Sequence, residues 1–100
     1  MYRLQYAQSA ERDLQAIFDY LAEYDRSTAI SYLGGIEESI LRLRDFPELG
    51  HQAYYPELQM QGIRILPVEK YLVFYEIQDT ENTVNIIRVL HGSRNYRRLF

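Results

Sequence analysis

Beyond residue 60 this 100-residue chain carries side chains of types that handle phosphate, among them the six Arg64, Lys70, Arg88, His91, Arg94 and Tyr96. Cations of this kind can hold a phosphodiester and stabilise the charge that develops as it is displaced. His91 or Tyr96 would then serve as general acid or base. The same groups, with Arg97 beside them, can equally hold the acidic surface of a protein, and spacing alone does not separate the two uses. Arginine and tyrosine in a C-terminal tail can also be no more than a solvated end that keeps a hydrophobic strand soluble.

Strands must position these groups. Thr83 to Leu90 is the densest β-branched run in the chain, suited to a pleated and at least half-buried surface, and Gly92 ends it. Tyr71 to Ile77 reads as the strand before it. Gly62 to Val68, interrupted by Pro67, reads as the strand before that. Glu69-Lys70 makes one turn, and Gln78 to Asn82 forms a polar hairpin loop. On this arrangement the six groups lie on or beside adjacent strands and are expected to converge at one end of the sheet.

The preceding half is helical. Tyr2 to Tyr6 alternates with period two as a short strand, and Ser9 is the expected cap of a helix with Glu11 and Asp13 in its first turn. Ala10, Leu14, Ile17, Phe18, Leu21 and Tyr24 form its apolar stripe. After Asp25-Arg26-Ser27 a second helix is predicted from about Thr28 to Arg44, close enough to the first to make an antiparallel hairpin. Gly34-Gly35 inside it costs ~1 kcal/mol per glycine relative to alanine, and a close approach of the first helix is the expected compensation. Pro47 and Gly50 stop the helix, and His51 to Gln61 is a loop that is long for a compact domain. The sum is one α+β domain over residues 1–100, β-α-α-β-β-β, an antiparallel sheet with a helical hairpin on one face. Tyr71 to Ile77 and Ile86 to Leu90 are apolar on both faces, so the second face is expected to be concave and covered by a partner.

Composition narrows the function. There is no cysteine, which excludes a disulfide framework, a thiolate metal site and a cysteine nucleophile, and which fits a reducing cytosol. The first twenty residues carry Glu11, Asp13 and Asp19 and read as neither a signal peptide nor a membrane span. The net charge of −3 is unevenly laid out: residues 1–60 hold five Lys/Arg against ten Asp/Glu, and residues 61–100 hold six against four. A weakly acidic whole argues against nonspecific nucleic-acid binding, while a local basic face remains open. No GxGxxG, phosphate loop, GxSxG or HExxH is present. His51 and His91 stand far apart without carboxylates at ligand spacing, so no metal or other cofactor is expected, and Glu37-Glu38 and Glu11-Asp13 read as solvated helix surface.

Five segments in register resemble one family: residues 2–14 (YRLQYAQSAERDL), 46–50 (FPELG), 62–68 (GIRILPV), 71–75 (YLVFY) and 88–94 (RVLHGSR). Together they make the chain similar to the RelE/ParE superfamily of type II toxin-antitoxin toxins, and within it to the ParE branch. The resemblance implies a small cytoplasmic toxin of the plasmid-stabilisation type, neutralised by a cognate antitoxin whose C-terminal segment adds to its sheet or groove. Tyr71, Val73, Tyr75, Ile87 and Val89 are the antitoxin contacts expected on that basis. ParE-like toxins are associated with poisoning DNA gyrase, without direct DNA binding by the toxin alone. Arg64 matches the superfamily's strand arginine, and His91-Gly92-x-Arg94 matches the ParE ending. Arg64, His91, Arg94, Tyr96 and Arg97 are therefore the expected target contacts. The alternative is a RelE-like, ribosome-dependent mRNA endoribonuclease, in which Arg64, His91, Arg94 and Tyr96 would be catalytic. Asn95-Tyr96 stands where an acidic residue often follows the arginine in ParE sequences.

Overall fold

The computed structural model describes residues Met1–Phe100. Where the sequence alternates or runs β-branched it is extended: β1 spans Arg3–Tyr6, β2 His51–Gln52, β3 Arg64–Val68, β4 Tyr71–Gln78 and β5 Thr83–His91. Where apolar residues recur at helical spacing it coils: α1 spans Gln8–Ala22 and α2 Arg26–Leu41, with a 3₁₀ turn over Arg42–Arg44 completing the predicted second helix. The strands form one sheet in the order β1-β5-β4-β3-β2. The last three strands pair antiparallel as expected, whereas β1 joins the edge of β5 in parallel, with Tyr6 opposite Ile86. A parallel return needs a crossover, and the helical hairpin is that crossover.

Ser9 does not cap α1. The helix begins after Ala7, and the Ser9 hydroxyl instead donates to the Ile87 carbonyl at 2.7 Å. The reason is an unpaired edge. β1 ends at Tyr6, so β5 beyond Ile86 would show bare backbone on that side, and the first turns of α1 cover it. Ala7 N–H donates to the Ile86 carbonyl (2.8 Å), and the Asp13 carboxylate accepts the Val89 N–H (2.9 Å). Asp13 also takes two bonds from the Arg88 guanidinium, at 2.8 and 3.0 Å. Asp13 is thus no solvated surface acid but the edge guard of β5, and its carboxylate pushes the Arg88 pKa up.

The apolar run on β5 has a similar local cause. Phe74 pairs with Arg88 and Tyr75 with Ile86, which leaves Ile87 as the extra residue of a β-bulge. The bulge resets the alternation, so that Val84, Ile86 and Val89 all face the hairpin while Ile87 and Leu90 face the other way. Under the hairpin lie Ile17, Leu33, Ile36 and Ile40 against Tyr71, Val73 and Tyr75.

The second face is covered by the chain itself. The expected His51 to Gln61 loop holds β2 and a short helix, α3, over Pro56–Met60. Leu58 of α3 packs with Ile65, Phe74 and Leu90, and the C-terminal residues Tyr96, Leu99 and Phe100 close over them. The Phe74 ring lies 4.8 Å from that of Tyr96 and 5.0 Å from that of Phe100. Apolarity on both faces of β4 therefore reflects two intramolecular layers, and a partner is not needed to account for it. Gly34 and Gly35 have no neighbour within 4 Å of where a side chain would start, so no close helix approach compensates them.

Candidate functional site

Arg64 and His91 occupy opposite ends of the central strands. Arg64 pairs across the ladder with Tyr75, and His91 with Tyr71, four residues along β4. That separation is about 13 Å at the usual strand rise, so the six groups do not converge on one point.

At the first end Arg64 is a structural clasp. Its Nη2 donates to the carbonyls of Gly50 (2.6 Å) and Glu48 (3.2 Å), and not to a helix acid such as Glu37. The Tyr75 hydroxyl donates to the Pro47 carbonyl (2.7 Å) and accepts the Gly50 N–H (3.0 Å). A Cβ on Gly50 would meet the Ile65 carbonyl oxygen at 2.5 Å, which is why glycine stands there. The Phe-Pro-Glu-Leu-Gly segment, the strand arginine and Tyr75 are thus one device that fixes the turn after α2. The buried Arg64 Nε has no partner, a cost the Nη2 bonds offset.

Tyr96 and Arg97 lie on the second face and are engaged there. Arg97 is ion-paired to Glu57 on α3, which it holds below the usual carboxylate range, and its guanidinium sits 4.5 Å over the Tyr55 ring. Burial, and then Tyr55, push the Tyr96 phenol up, which keeps it protonated.

His91 and Arg94 remain together. With Lys70 they line a cleft of about 600 Å³ between the hairpin and the end of the sheet, walled by Tyr20, Tyr32 and Tyr71. The backbone brings them together: Gly92 N–H donates to the Lys70 carbonyl (2.8 Å) and Arg94 N–H to the His91 carbonyl (3.1 Å). His91 Nδ1 accepts the Ser93 N–H at 3.1 Å, so the proton of the neutral ring sits on Nε2. The chain has two ion pairs, Arg88–Asp13 and Arg97–Glu57, and neither Lys70 nor Arg94 belongs to one. No three His, Asp or Glu side chains come together to ligate a metal ion.

Of the residues expected to touch antitoxin, Tyr71, Val73, Tyr75 and Val89 are buried on the hairpin side of the sheet, where Tyr71 and Val89 reach only the lining of the cleft. They were expected on the resemblance, and a strand apolar on both faces does not tell in sequence which residues the hairpin covers. Ile87 alone lies on the other face, half-buried. Tyr20 and Tyr32 wall the cleft without belonging to the expected cluster, and the one signal for them in the sequence is that Tyr20 lies off the apolar stripe of α1.

A family model for the ParE toxin of type II toxin-antitoxin systems (parDE) matches residues 4–96. The chain belongs to the ParE toxin family. Among solved structures it is similar to a chain of the chromosomal ParDE system of P. aeruginosa, at 22% identity over 91% of this chain and 96% of that one, with a TM-score of 0.74. It is also similar to a chain of the RelBE2 complex of Mycobacterium tuberculosis (24% identity, 90% and 96% covered, TM-score 0.61) and of the intact E. coli RelBE complex (13%, 94% and 100%, 0.62). At these identities the likeness carries the fold. No curated protein matches. This ParE-family chain has no helix long and apolar enough to cross a membrane.

Proposed function

We propose that this toxin acts in the cytoplasm by poisoning DNA gyrase and is held inactive by a cognate antitoxin. The observation that carries the reading is the match of nearly the whole chain, residues 4–96, to the ParE model. The disposition of the cations supports it over mRNA cleavage. Three of the arginines that a nuclease surface would need are engaged within the chain: Arg64 with carbonyls, Arg88 with Asp13 and Arg97 with Glu57. The sheet face opposite the hairpin, where a strand of RNA would lie, is occupied by α3 and the C-terminal residues, and the molecule as a whole is acidic. His91 and Arg94, with Lys70 beside them at the open end, are the target contacts in this reading.

The antitoxin is a partner in the related ParDE and RelBE complexes, and the same kind of partner is proposed here. Of the five expected antitoxin contacts, Ile87 is the one that α3 and the C-terminal residues leave half-exposed on the second face, and it is the docking position proposed here. The test uses purified, antitoxin-free toxin in two assays side by side. Gyrase supercoiling with a readout for trapped cleaved DNA should respond, and mRNA in a translation extract should stay intact. Cut mRNA with unaffected gyrase would replace this reading with the endoribonuclease one.

A further inference from the structure

The cleft at the open end has the composition of a small-ligand site, and this is a property of the free chain whatever its macromolecular target. We infer that it binds a mononucleoside phosphate. Its volume of about 600 Å³ falls within the range of sites that enclose one small molecule. Lys70 and Arg94 are cations without a carboxylate partner, and they flank a half-buried histidine whose Nε2 is the donor. The one carboxylate in the lining, Asp13, is already engaged by Arg88 and the Val89 N–H, so it leaves the cleft's positive character largely intact. These groups suit a terminal phosphate. Tyr20, exposed at the cleft, supplies aromatic surface alongside that suits the flat face of a base, while Tyr32 and Tyr71, set edge to face at 5.8 Å, complete the aromatic lining. Burial keeps the Tyr71 phenol protonated and able to donate.

A mononucleotide fits better than a strand. The cleft's outer wall is α1, where the exposed Asp19 precedes Tyr20 and the exposed Glu23 follows just past the helix end, and residues 1–60 carry twice as many acids as bases. A polyanion running past that wall is repelled, whereas one phosphate held between Lys70 and Arg94 is not.

The experiment is a titration of the ¹⁵N-labelled, antitoxin-free chain with adenosine 5′-monophosphate, inorganic phosphate, adenosine and a 5′-phosphorylated oligoadenylate, followed by amide shifts. The expected result is saturable AMP binding with Kd on the order of 1 mM or tighter. Shifts should centre on Lys70, Gly92, Ser93 and Arg94, with phosphate and adenosine each at least tenfold weaker. K70Q and R94Q, both exposed positions whose amide spectra should stay folded, should each weaken AMP at least tenfold. No saturable shift, equal binding by the folded variants, or phosphate binding as well as AMP would overturn the inference. Tighter binding of the oligonucleotide would overturn it in favour of a strand-end site. None of these outcomes bears on gyrase trapping, which is scored separately.

Discussion

The Arg64 end of the sheet and the His91 end carry similar side chains put to different use. Arg64 and Tyr75 direct their hydrogen bonds at main-chain atoms of residues 47–50, while Lys70 and Arg94 meet no carboxylate and His91 keeps Nε2 free of any intramolecular bond. A family motif can therefore mark a place where the fold is fastened as readily as a place where it acts. The distinction lies in whether the polar groups are satisfied within the chain.

Substitutions at the two ends should separate stability from activity. Gly50→Ala is expected to cost most, about 3 kcal/mol in urea unfolding, because its Cβ would press on the rigid Ile65 carbonyl and the Tyr75 hydroxyl. A cost under ~0.5 kcal/mol would mean that the clasp yields. Arg64→Met should lose about 2 kcal/mol by leaving the Gly50 and Glu48 carbonyls unpaired, and Tyr75→Phe somewhat less, about 1.5 kcal/mol. Gyrase trapping per folded molecule should be unchanged in both. Lys70→Gln and Arg94→Gln should stay within ~0.5 kcal/mol of the parent, being exposed and unpaired, and should lose trapping.

Smallest of all near neutral pH is the ionisation of Tyr6, whose phenol is pushed up by burial first and by Glu37 second. Its folded value stands above its unfolded one, near 10, so its contribution is complete below that pH and is lost as pH rises through the folded value. Denaturation midpoints should be flat from pH 7 to 9 and fall above about pH 10. Tyr6→Phe should lessen that fall in part, the rest belonging to Tyr71 and Tyr96, whose phenols burial raises as well.

Much of this fold could be read in advance because periodicity reports it directly: the hairpin stripe of Ala10, Ile17 and Leu21, and the β-branched run of β5. What escaped has local causes. Five residues of α3 are too few to show a period, although Pro56 at its first turn and Glu57 beside it are start signals. The bulge at Ile87 exchanges faces without changing composition, so Val89 and Ile87 look alike in sequence and point oppositely. Arg64 bonds to carbonyls, which every residue possesses, so its partners have no sequence signature. Of the candidate site, His91 and Arg94 were legible from the strand end that carries them. Tyr20 and Tyr32 come from the hairpin and join the cleft only once β1 and β5 pair in parallel.

In the proposed reading the open end, and not the strand arginine, meets the target. The most direct measurement is trapped gyrase cleavage by the parent, by the Lys70→Gln/Arg94→Gln double variant and by Arg64→Met, each shown folded by circular dichroism at the assay temperature. Trapping is expected from the parent and from Arg64→Met, and none from the double variant. Full trapping by the double variant, or its loss in a folded Arg64→Met, would contradict that reading.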